Sequence, residues 1–154
     1  MTAVDARIDH LAIATRYAAA PDRWPVAPRF NPADRWYHRI ADEPDYEVWL
    51  LTWLPGQGTD LHDHGGSAGA FVVVSGSLRE EVVDLGRVRA RETVLPAGAA
   101  RSFGAHHIHR ITNTGPAPAV SLHVYAPALR EMTRYRIEDG TLSKAVVEKA
   151  GVDW

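Results

Sequence analysis

Residues 46–85 read YEVWLLTWLPGQGTDLHDHGGSAGAFVVVSGSLREEVVDL, and this stretch decides the fold. Its opening segment, 46–54, is aromatic and β-favouring and stops at Pro55-Gly56. An apolar run follows at 70–75 (AFVVVS), broken by Gly76-Ser77 before another at 78–85 (LREEVVDL). Short β-favouring runs closed by glycine and proline are the pattern of consecutive strands.

The same pattern continues outward on both sides. Gly86 breaks the chain before 87–95, where charged and apolar residues alternate, and Pro96-Ala-Gly98 is a turn. Residues 107–112 and 119–125 read as strands on either side of Thr114-Gly115-Pro116. Residues 132–138 read as a strand, and 142–147 as a strand or a helix. Upstream, the pattern becomes strand-like from Trp36. Before it, 3–19 reads as a helix, with Val4, Ile8, Leu11 and Thr15 at helical spacing and Pro21 as its stop. Pro25, Pro28 and Pro32 keep the chain extended or irregular to about residue 34. About seven or eight short strands at 8–12-residue spacing after one helix predict an all-β sandwich or barrel. No βαβ alternation is present, which excludes a Rossmann-type sheet.

The chain has 154 residues, a length that suggests one domain over 1–154. Within it, 1–34 would be an N-terminal helix and proline-rich arm, 36–127 the motif-bearing barrel, and 128–154 a C-terminal strand and tail. With 17 Lys+Arg against 19 Asp+Glu and no charge block, nothing points to a nucleic-acid or membrane partner. Apolar residues at 45% suffice for a core. The absence of cysteine excludes disulfides, thiolate metal sites and a cysteine nucleophile. No apolar run approaches the roughly 20 residues of a membrane helix. The N-terminus, with Asp5 and Asp9 beside Arg7, has no basic n-region or apolar h-region. The expectation is a small soluble domain in the cytoplasm.

The eight histidines carry the functional information. His62 and His64 flank Asp63, so in a strand both imidazoles share a face and Asp63 turns outward, to a loop or supporting hydrogen bond. Two nitrogen donors on one rigid face make half a site for a divalent ion. The surrounding spacing is Gly56-x5-His62-x-His64-x4-Gly69-x6-Gly76, followed by Pro96-x-Gly98 and His109-x3-Asn113. It resembles the two cupin motifs. Two departures stand out: Gly69 occupies the position of the usual glutamate ligand, and the gap from Gly98 to His109 is long. His107 and His109 would share a strand face, so periodicity does not separate them; the position four before Asn113 favours His109. His106 and His107 then read as a polar loop entering that strand. Three histidines without a carboxylate leave a metal's charge uncompensated, which suits an anionic substrate.

Ser121, His123 and Tyr125 alternate in AVSLHVY and form a polar row on one face of an apolar strand. Burying them costs several kcal/mol unless they bond one another or a ligand, so they read as a relay or a satisfied core network. Together with Tyr37-His-Arg39, His62-Asp-His64, His109-Arg-Ile and Ala-Pro127, this row resembles the cysteine dioxygenase-type thiol dioxygenases across 36–127. Glycine at 69 and arginine at 39 are similar to the arginine-type bacterial members. In eukaryotic members a cysteine at the Gly69 position is joined to the tyrosine by a thioether, a bond impossible in this cysteine-free chain.

The resemblance implies a cupin jelly-roll barrel with Fe(II) held by His62, His64 and His109. It implies that Tyr125 is the active-site tyrosine, oriented by His123 and Ser121. Arg39 would hold the substrate carboxylate, with Tyr37 beside it and Leu51 and Met132 as apolar walls. L-Cysteine and O2 would give cysteine sulfinic acid. An arginine fork holds a carboxylate with two charge-assisted bonds, which separates this reading from 3-mercaptopropionate or other small-thiol dioxygenases carrying glutamine. The competing readings are another metal-dependent cupin, for example one with a zinc-bound water, and a non-catalytic cupin binding module. The polar row speaks against the last, since a simple binder has no evident need for a relay.

Overall fold

The computed structural model describes residues 8–84 and 89–149. The expected helical residues 3–7, the break at Gly86 and the tail 150–154 lie outside those residues. One helix, α1 (His10–Ala18), and a 3-10 turn (Pro21–Arg23) precede the strands β1 (Trp36–Asp42), β2 (Glu47–Trp53), β3 (Leu61–His62) and β4 (Ala68–Ser75). They are followed by β5 (Ser77–Asp84), β6 (Arg89–Pro96), β7 (Ala100–Phe103) and β8 (His109–Thr112). The last are β9 (Ala119–Ala126), β10 (Glu131–Glu138) and β11 (Thr141–Lys149). The strands form a five-stranded sheet, β1-β2-β9-β4-β7, and a six-stranded sheet, β11-β10-β3-β8-β5-β6. The named strand pairs are antiparallel. This is the β-barrel with an N-terminal helix that the strand spacing predicts, in the cupin form that the motif resemblance implies.

Period-two alternation sorts the five-stranded sheet into two buried faces. Trp49, Leu51 and Trp53 on β2 lie with Phe71 and Val73 on β4 in the core that also takes in Leu78, Leu95 and Ile111 of the second sheet. Val48, Ala70, Val72, Leu122 and Val124 point the other way and pack beneath α1. Burial on both faces explains why β2 and β9 are buried at every position, and why their sequences are nearly continuous apolar runs. The polar row of β9 therefore faces the interior, between Trp49 and Phe71, which both pair with His123.

Four local readings change. The helix presents Ala14 to the sheet, supported by Ile13, Tyr17 and Ala18, whereas Ile8 and Leu11 are 37% and 40% exposed. The small side chain of Ala14 lets the helix approach closely, which the apolar spacing alone did not weigh. Asp9, whose side chain accepts from Ala12 N at 2.9 Å, caps its start. The long gap between Gly98 and His109 contains β7, paired with β4. Residues 141–149 are strand, paired with β10 along their length. β3 is only two residues long, so His64 lies beyond it, and Asp63 accepts hydrogen bonds from Gly65 N, Thr133 N and the Tyr135 hydroxyl. As expected, that carboxylate secures a loop.

Candidate metal centre and substrate cavity

The three motif histidines converge. His62 and His109 are register partners on β3 and β8, and His64 follows from the turn that Asp63 secures. Their candidate ligand atoms lie within 4.8 Å of one another and all three residues are buried. His107 does not join them; it pairs instead with Glu80, at 3.4 Å. His106 is exposed. Asn113 of the second motif is a clamp: its amide donates to Trp53 O (2.8 Å) and Ala117 O (2.9 Å), tying the end of β8 to β2.

Hydrogen bonds fix the tautomers. His62 Nδ1 lies 2.8 Å from Asp60 O. A carbonyl only accepts, so Nδ1 carries the proton and Nε2 keeps its lone pair. His109 Nδ1 lies 2.7 Å from Glu80 Oε2, with the same consequence. His64 Nδ1 is buried and has no hydrogen-bond partner. Burial, reinforced by the neighbouring His109, holds the His62 and His64 imidazoles well below their ordinary 6.5. Burial lowers His109 as well, against the opposing bond to Glu80. Three neutral rings with free lone pairs and one orphaned ring nitrogen fit a divalent transition metal.

Gly69 explains the missing carboxylate. A Cβ there would collide with Val124 O and meet Phe103 Cζ at 3.0 Å, so this backbone admits no side chain at that position. Phe103 fills the space, its ring stacked on His64 at 4.6 Å and tilted against Tyr125 at 6.2 Å.

A cavity of about 290 Å³ opens onto His62 and His109, with His123 and Tyr125 on its wall. Leu51 and Met132 line it, as expected, together with Trp49 and Trp53. The polar row is half the expected relay. The Trp53 indole N–H donates to Ser121 Oγ (2.8 Å), and Ser121 Oγ lies 2.7 Å from His123 Nε2. Tyr125 is joined to His123 by a ring contact at 6.3 Å. Burial, reinforced by the neighbouring His109, lowers His123 to about 3, so it is neutral near pH 7. Burial raises the Tyr125 phenol, which therefore keeps its proton.

Arg39 is not where it was expected. It reaches Glu47 (3.6 Å) and Asp42 (3.7 Å), and its side chain is 48% exposed. Glu47 is buried, with one carboxylate oxygen accepting from Leu129 N at 2.7 Å. That buried carboxylate needs a countercharge, and Arg39 turns to it. Tyr37 packs against Trp49 at 6.0 Å without lining the cavity. The guanidinium on the cavity wall belongs to Arg35, just ahead of β1. It lies 5.2 Å over the Trp53 ring, its Nε is buried without a partner, and burial lowers its pKa. Arg134 also lines the cavity but is committed to Asp60 (3.3 Å) and Glu148 (2.8 Å).

Sequence reasoning therefore missed two residues. Arg35 carries no signal of its own, because 35, 37 and 39 share a parity and only the tertiary partner of Arg39 separates them. Glu80 did carry one: it alternates with the core residue Leu78, which puts a carboxylate on an inward face.

The family model for cysteine dioxygenase type I matches residues 2–138. Human cysteine dioxygenase type 1 is 28% identical over 128 residues, which cover 75% of this chain and 62% of that protein. The chain thus spans about 62% of the length of the rat and human relatives it matches. Among solved structures, a Thermus thermophilus protein superimposes with a TM-score of 0.58 at 27% identity, covering 66% of this chain and 90% of that one. A Klebsiella pneumoniae protein with a double-stranded β-helix domain gives a TM-score of 0.57 at 20% identity, covering 77% and 90% respectively, and bears on the fold alone. The matched span takes in all three clustered histidines and nearly the whole barrel, and the chain belongs to the cysteine dioxygenase type I family.

Proposed function

We propose that this chain is a non-haem Fe(II) thiol dioxygenase converting L-cysteine and O2 to cysteine sulfinic acid. One observation carries the reading: the neutral imidazoles of His62 and His109 and the under-bonded Arg35 guanidinium share one cavity. A small anion with a metal-seeking group at its other end fits that pairing. The curated relatives bear the name cysteine dioxygenase, which supports cysteine as the thiol. Glycine at 69, in a chain without cysteine, supports the branch without the thioether.

His62, His64 and His109 would hold the iron. Bound there, ferrous iron supplies the Lewis acidity that keeps a thiol as thiolate and the redox chemistry that O2 requires. Arg35 binds the carboxylate by charge-assisted hydrogen bonds, strengthened by its partial burial. Fixing the carboxylate orients the sulfur end toward the histidines and replaces a bimolecular encounter by a positioned one. The Tyr125 hydroxyl, still protonated, donates a hydrogen bond to the charge that develops on oxygen. Ser121 and Trp53 hold the His123 ring, which in turn packs against Tyr125. Trp49, Leu51, Trp53 and Met132 exclude water. The overall change, RSH + O2 → RSO2H, places both oxygen atoms on sulfur and balances without an external reductant.

The test is oxygen uptake by the iron-loaded protein with L-cysteine, 3-mercaptopropionate and other small thiols, with product identification. The expected result is one O2 consumed per cysteine sulfinate formed, with cysteine preferred. Absence of oxygen uptake with every thiol of the panel overturns the dioxygenase reading. Preference for 3-mercaptopropionate overturns only the choice of cysteine.

A further inference from the structure

Glu80 has no place in the reaction described above, yet it is a buried acid, 3% exposed, one diagonal step across the β5–β8 ladder from His109. Its Oε2 meets His109 Nδ1 at 2.7 Å and His107 Nε2 at 3.4 Å. His107 is fixed from its other side. Its ring stacks on Phe103 at 5.4 Å, and Phe103 stacks on His64 at 4.6 Å. The contacts close a loop from His64 through Phe103, His107 and Glu80 back to His109. An ionised carboxylate accepts from both imidazoles at once, which an amide oxygen does less strongly.

We propose that Glu80 is a positioning residue for the metal centre: shared by His109 and His107, its carboxylate fixes the ring orientation and tautomer that present His109 Nε2 to the ion. The inference rests on the reading that His62, His64 and His109 hold a metal. His107 supports it at one remove, as the brace that stops the Glu80 carboxylate from swinging away. Without Glu80, His109 Nδ1 would be a buried donor with no acceptor, and the ring would be free to rotate.

The test measures ferrous-ion affinity by chelator competition and the visible absorption of the cobalt(II)-substituted protein, in wild type and variants. Glu80→Ala should weaken iron binding by about 10–100-fold and shift the cobalt bands, as loss of a supporting partner does at other metal sites. Glu80→Gln keeps an acceptor and should recover part of that loss. His107→Ala should give a smaller weakening, about threefold by the same reasoning. Glu81→Gln, which alters the neighbouring pair with Arg110, should leave affinity and spectrum unchanged. Should Glu80→Ala not fold, Glu80→Gln carries the comparison. Wild-type affinity and an unshifted cobalt spectrum in a folded Glu80 variant overturn the inference while leaving the metal site intact. Equal iron binding by wild type and His62→Ala overturns the metal site itself and the inference with it.

Discussion

Arg35 and Arg39 have the same side chain and opposite surroundings, and the difference lies in what each meets. Arg39 meets a buried carboxylate and is consumed as its countercharge. Arg35 meets an indole face, and its Nε is left buried with no acceptor. A carboxylate entering the cavity would satisfy that donor, so Arg35→Ala should lower kcat/KM for cysteine by about 100-fold, or ~2.7 kcal/mol. Arg39→Ala should change kcat/KM by less than about threefold, since it touches no cavity group. Steady-state kinetics on the two variants decide the matter, and the reverse ranking would return the carboxylate to Arg39. Tyr125→Phe isolates a single hydroxyl. Turnover should fall by about one to two orders of magnitude (~1.4–3 kcal/mol), while iron retention, measured by metal analysis, stays at the wild-type level. Unchanged turnover would reduce Ser121, His123 and Tyr125 to a core network.

The strands that carry the site were legible because their period is two and their breaks are glycine and proline. That period grouped Ser121 with His123 and Tyr125, and motif spacing picked out His109, whereas His64, beyond β3, joins His62 through the turn that Asp63 secures. β7 was not legible, since ARSF holds one apolar side chain that reaches the core and no alternation to speak of. The helix was legible as a helix but its packed face was not, because Ala14 marks it by being small while Ile8 and Leu11 stay at the surface. Gly69 shows why β4 and β9 run so close. Its α-hydrogen faces Val124 O, and a methyl group in its place would collide with that oxygen. Gly69→Ala must push β4 off β9, so it should destabilise the protein by about 1–3 kcal/mol, the usual range for overpacking, and more if the strand pair separates. Gly69→Cys should do at least as much harm. Urea unfolding checks both, and a stability equal to wild type would mean the two strands have slack.

At the scale of the whole molecule, the interior is built around unprotonated imidazoles, and stability should depend on pH for that reason. His62, His64, His109 and His123 are all held below their ordinary 6.5, burial being the first cause in each case. A group whose folded value is depressed stabilises the fold above its unfolded value, and that contribution is lost as pH falls toward the folded value. In the unfolded chain these rings take up protons near 6.5; in the fold they resist, His123 down to about 3. Each ring can add a slope of up to about 1.4 kcal/mol per pH unit across its window. Below 4.5, Glu80, held to about 2 in the fold, begins to act in the same direction. The metal-free protein should therefore keep a level Tm down to about pH 6.5 and lose it steeply below. A metal ion competes with protons for the same lone pairs, so saturating iron should move the acid transition to lower pH. Thermal denaturation from pH 8 to pH 4, with and without the metal under anaerobic conditions, measures both effects. A Tm that stays level from pH 7 to pH 5 in the metal-free protein would mean that the rings are reached by water or exchange their partners, and the rigid, dry histidine cluster would have to be given up.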